Sequence, residues 1–99
     1  MNSVSATART GMQSALKRLT VAAHNVAISP VEGAHRQVVS QQTLPDGGVA
    51  TSIKQAPEPG PALEQDLVEQ QVATYAFKAN LRVVEVQQSV LGALLDEKV

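Results

Sequence analysis

His24 and His35 are the side chains best suited to proton transfer or metal binding, and the chain has no cysteine. They lie eleven residues apart with no fixed carboxylate partner, a poor set for a metal that wants three or four converging ligands. Ser40, His35 and Asp46 supply the residue types of a hydrolytic triad. They lack a nucleophile-elbow context, and a small hairpin offers little to bury them. Gly11, Gly33, Gly47, Gly48, Gly60 and Gly92 are scattered and form no phosphate-cradling loop. The residues point to no catalytic, cofactor-binding or metal site, so the expectation is a protein that is not an enzyme.

These side chains must be positioned by a short chain of 99 residues, which is one domain by size. Such a chain buries a modest fraction of its surface. Only two aromatics are present, Tyr75 and Phe77. The apolar content is Ala, Val and Leu, which suits helices packed side by side. Net charge is −1, which gives no electrostatic case for nucleic acid. Residues 1–31 carry Arg9, Lys17 and Arg18 and no acid. Residues 62–99 carry six acids against three bases. The two ends therefore attract each other weakly. No apolar run approaches the ~20 residues needed to span a bilayer, and no cleavable secretory signal is visible near Met1.

The periodicity predicts a mainly α fold: two long terminal helices forming a coiled-coil-like pair, with a small β-hairpin and a Pro-rich linker between them. Met12, Leu19 and Val26 recur every seven residues, with Ala15, Leu16, Ala22 and Ala23 between them. The N-terminal helix is expected over residues 11–29, with 1–10 flexible because Gly11 weakens the start. Pro30 and Gly33 are stop signals. Residues 35–55 hold two β-compatible runs around Leu44-Pro45-Asp46-Gly47-Gly48, which reads as a hairpin. Residues 56–61 form a stiff linker. Residues 62–96 read as a long helix, opened by Pro61 with Glu64 and Asp66 in the first turn. Its apolar residues Val68, Val72, Tyr75 or Ala76, Ala79, Val83, Val86, Val90 and Leu94 step mostly by three and four, the spacing of a coiled-coil seam. Leu67, Leu81, Val84, Leu91 and Leu95 lie off that stripe and ask for a second neighbour. The residues expected inside the helix packing or assembly are Leu16, Leu19, Val26, Val68, Val72, Ala79, Val83, Val86, Val90 and Leu94.

At 14–33 the chain reads Ser14-Ala15-Leu16, Arg18-Leu19, Val21-Ala22-Ala23-His24-Asn25-Val26-Ala27, then Gly33. At 64–97 it carries Asp66-Leu67-Val68, then Ala76-Phe77-Lys78-Ala79-Asn80, then an aliphatic tail. In order and spacing this resembles the terminal signatures of the flagellar basal-body rod and hook axial proteins, and in length it is most like a short proximal rod protein. Asn25, Gly33, Phe77 and Asn80 match the family's motif positions. Ile28, Val31 and Ala34 depart from it, where a second Asn, a Thr and an aromatic are usual.

The resemblance implies a structural subunit of the flagellar rod or a rod-like axial assembly, located in the periplasmic part of the basal body. It implies export through the flagellar type III apparatus without a cleaved signal peptide. Its partners would be other copies of the chain or related axial proteins, with no nucleic acid and no membrane span. The alternative is a cytoplasmic coiled-coil adaptor, chaperone or regulator of flagellar assembly that uses the same helices. Asn25 is expected to bond the backbone of the turn after its helix, and Asn80 either to set helix register or to face solvent.

Overall fold

The computed structural model describes residues 2–97. Helix α1 (Asn2–Ile28) leads to strands β1 (Gln37–Thr43) and β2 (Val49–Gln55), and helix α2 (Leu63–Glu97) closes the chain. The architecture is two long helices flanking a two-stranded antiparallel hairpin. Helix α1 starts at Asn2 and not near residue 11, so residues 2–10 are helical. Met1, also expected to be flexible, lies outside the described residues. The reason for the earlier start is packing: Ala8 is buried, which ties the first turns down despite Gly11.

The helices run antiparallel. Ser5 bonds Gln87, Gly11 lies against Asn80, Arg18 pairs with Glu69, and Asn25 approaches Asp66. Small residues make this seam. Ala8, Ala15 and Ala22 fall seven apart on α1, and each is at most 4% exposed. Asp66, Ala73, Asn80 and Gln87 fall seven apart on α2 and are buried or half-buried. This is the 3.5-residue period of a coiled coil, carried by Ala and Gly where larger side chains are usual. Met12, Leu19 and Val26 are half-buried at its flank.

Gly11 shows how close the helices come. A Cβ there would lie 2.6 Å from Asn80 Oδ1 and 2.7 Å from its Nδ2. Asn80 therefore sits in the seam, and it donates to the Ala76 carbonyl of its own helix at 2.9 Å. Gly11→Leu should destabilise the chain by about 1–3 kcal/mol through overpacking. Gly11→Ala with Asn80→Ala should be neutral or stabilising, because room is made and about 1 kcal/mol of helix propensity is gained. Equilibrium urea unfolding of the two variants checks both signs.

The stripe expected as the seam is not the one that the two helices of a chain share. Leu16, Val68, Val72, Val83, Val86, Val90 and Leu94 are 42–59% exposed, and Ala79 is also exposed. Small residues allow a closer approach than Val and Leu, so the Ala face takes the intramolecular contact. Along α2, Val68, Ala79 and Val90 are eleven apart, as are Val72 with Val83 and Val83 with Leu94. This outer stripe has a period of eleven residues.

The first helix ends through local bonds. Ser29 N–H and Oγ donate to the Val26 carbonyl at 3.2 and 2.8 Å, and Val31 N–H donates to Ile28 at 2.9 Å. In the hairpin, Gln37 pairs with Gln55 and Thr43 with Val49. Leu44 N–H donates to the Gly48 carbonyl at 2.8 Å, and Gly47 takes φ of 95°, where only glycine is at ease. The hairpin rests on α1: Gln41 bonds Ser14, and a Cβ on Gly47 would come 3.1 Å from Thr7 Oγ1. Neither strand packs on α2. Residues 56–61 do not run free. Ala56 N–H donates to Arg36 and Gly60 N–H to Ala34, so the segment is stitched back onto the strand's approach.

The result is long and thin, 65 × 25 × 13 Å. Its radius of gyration is 17.5 Å, against roughly 13 Å for a compact chain of this length. Its accessible surface is 6991 Å², against roughly 5,400 Å² for a compact monomer of this mass. Among the described residues the buried hydrophobic ones are Ala8, Ala15, Val21, Ala22 and Ala73, none of them large.

Candidate functional site

The three chain segments that leave or enter the helices converge on one polar cluster. Asn25 lies in the last turn of α1, Arg36 stands just before β1, and Asp66 is in the first turn of α2. Asn25 and Asp66 are each 2% exposed, the two most buried polar residues among those described.

Asn25 acts like an extra strand residue. Its Oδ1 accepts from Gln37 N–H at 2.8 Å, and its Nδ2 donates to the Gln37 carbonyl at 2.9 Å. Its Nδ2 also faces Asp66 Oδ1 at 3.5 Å. The expected bond to the adjoining turn is therefore replaced by a bond twelve residues along the chain, at the start of β1. The turn closes on its own backbone, which leaves the Asn25 amide for the strand. Asn25→Ala should cost about 1–3 kcal/mol, because a buried backbone N–H and C=O lose their partners. Hydrogen exchange should quicken at the Gln37 amide while amides in the middle of α2 keep their protection.

Arg36 grips Asp66 with two nitrogens. Its Nε donates to Oδ2 at 2.9 Å, and a terminal nitrogen donates to Oδ1. Side-chain exposure is 19% for Arg36 and 3% for Asp66. The two-pronged geometry is that of strong, charge-assisted pairing. The hydrogen bond to Asp66 holds the Arg36 guanidinium above its ordinary pKa, against the opposing effect of its partial burial. Asp66 was expected only to complement the helix dipole; it instead turns inward to this arginine.

An open groove runs from this cluster along α1, bordered by Val38, Gln41, Gln65 and Glu69. Its charged residues are spent on one another: Arg18 pairs with Glu69 at 2.5 Å, and Arg36 with Asp66. The cluster can fasten three segments together. It presents no nucleophile beside a base and no unpaired charge to hold a ligand.

The other residues singled out by sequence are dispersed. His24 is exposed. His35 Nδ1 donates to the Ala56 carbonyl at 2.8 Å. Asp46 lies in the hairpin turn, a strand's length of roughly 20 Å from His35, so Ser40, His35 and Asp46 are not brought together. Among the described residues no cluster of three or more His, Asp or Glu could hold a metal ion. No described helix is long and apolar enough to cross a membrane. Gly33 takes φ of 79° in the turn after α1, with open space around it. Phe77 is half-buried and Tyr75 is 65% exposed.

Sequence reasoning missed Arg36, and it placed Ala15 and Ala22 in the apolar stripe of α1 without Ala8 or the facing Ala73. The seven-residue spacing of Ala8, Ala15 and Ala22 was a readable signal; Arg36 and Asp66, thirty residues apart, carried none. Neither a scan of protein-family models nor a search of curated proteins finds a match to this chain.

Proposed function

We propose that this chain is a structural subunit of the bacterial flagellar rod, or of a rod-like axial assembly, which packs with copies of itself or related axial proteins. The observation that carries the reading is the long helix pair whose buried apolar residues, among those described, are four alanines and Val21, while its Val and Leu stripe is left exposed. A chain of that kind gains its missing apolar contacts from neighbours. The motif resemblance adds the flagellar context: Asn25, Gly33, Phe77 and Asn80 stand at the axial family's positions, and Asn25 is the buried residue that anchors β1. On this reading the subunit is exported by the flagellar apparatus and resides in the periplasmic rod.

Mass spectrometry of purified hook–basal bodies, with cytosol as the comparison, tests it. Enrichment in basal bodies is expected. Presence only in the cytosol of flagellated cells would replace this reading with the adaptor or chaperone one. A variant sharpens the test. Val83 is 42% exposed, so Val83→Asp should change the stability of the isolated chain by no more than about 0.5 kcal/mol. Its incorporation into basal bodies should nevertheless fall sharply, because a charge would be buried between subunits.

A further inference from the structure

Helix α1 begins at Asn2, and Ser5 already lies against Gln87. Among the described residues the last two turns of α2 run on past the first turn of α1. They carry Leu91, Leu94 and Leu95, with Val90 just before them. These four are 42–58% exposed. The projecting end carries Asp96, which has no ion-pair partner among the described residues.

Elsewhere the chain offers the opposite shape. On the outer side of α1, Leu16, Thr20 and Val21 form with Ile53 of β2 an almost wholly apolar groove of about 330 Å³. Leu16 and Ile53 are 52% and 47% exposed. Lys17 lines the same groove, and it too lacks an ion-pair partner among the described residues. The groove stands on α1, which carries Arg9, Lys17 and Arg18 and no acid, and the projection on the acidic helix α2.

We infer that the projecting end of α2 of one copy seats in the α1–β2 groove of a second copy, with Leu91, Leu94 and Leu95 against Leu16 and Ile53 and Asp96 beside Lys17. The donor surface and the acceptor surface differ, so the contact is heterologous and each bound copy offers a fresh end to the next. The inference rests on shape and charge and holds whether or not the assembly is flagellar.

The absence of cysteine makes the test direct. A purified full-length chain carrying both Ile53→Cys and Leu94→Cys is oxidised at several concentrations. Disulfide-linked species of two, three, four and more copies are expected, and each single-cysteine variant should form no ladder. Products that stop at two copies would overturn the inference in favour of a closed two-fold pair. A monomer that does not cross-link, with its helical circular dichroism intact, would overturn it outright. Sedimentation of variants without cysteine supplies the second arm. Leu91→Asp with Leu95→Asp should abolish association. Lys17→Glu should weaken it by roughly two- to fivefold, the scale of an exposed pair. Adding Asp96→Lys to Lys17→Glu should restore it; failure of that exchange would remove the assigned charge contact. The cross-linking result is independent of where the protein resides, so it separates this inference from the flagellar reading.

Discussion

Replacing Arg36 with alanine should cost about 3–5 kcal/mol, because the Asp66 carboxylate is left buried without its cation. Asp66 is 3% exposed by side chain, and Arg36 is the only cation paired with it among the described residues. A domain of this size is stable by about 5–15 kcal/mol, so the loss is a large share of the total. Urea unfolding followed by circular dichroism measures it. Arg36→Lys should fall between the two, since a lysine keeps the charge and loses the paired prongs. Arg36→Met combined with Asp66→Leu should recover most of the stability, because no orphan charge remains. If Arg36→Ala unfolded within about 0.5 kcal/mol of the parent, the range of an ordinary surface change, the junction would not be what fastens the three segments.

The second large effect belongs to Ala73, which is fully buried where α2 faces α1. Ala73→Leu adds bulk between the two helices, and the loss should reach about 3 kcal/mol. The matched control is Ala79→Leu on the same helix. Ala79 is exposed, and Leu is nearly as good a helix former as Ala, so the change should stay within about 0.5 kcal/mol. Thermal melts of the pair decide the matter. Equal melting temperatures would mean that the helices of one chain do not meet along the alanine face.

The elements were legible because their signals are local. Pro30 and Gly33 stop α1, Pro45-Asp46-Gly47 turns the hairpin, and Pro61 precedes α2. What the sequence did not reveal was which stripe faces which. The inner stripe is Ala and Gly on α1 and Asp66, Ala73, Asn80 and Gln87 on α2, while larger Val and Leu side chains form the other. The usual rule buries the larger side chains, whereas this chain brings its backbones together and leaves Val72, Val83 and Val86 outside. The junction was illegible for another reason. Nothing along the chain couples Arg36 to Asp66 or Asn25 to Gln37; only the return of the chain over the helix end brings them together. Asn25 itself was visible as a motif residue, while its partner was not.

The two stripes of α2 also differ in torsion. The inner one, through Asp66, Ala73 and Asn80, repeats every seven residues and favours left-handed winding around α1. The outer one, through Val68, Ala79 and Val90, repeats every eleven and favours the opposite hand. A single helix cannot follow both senses. Alone, the pair should wind to suit the alanines; a neighbour laid along the outer stripe should unwind it toward straightness. The twist between α1 and α2 would then report how many neighbours a subunit has gained.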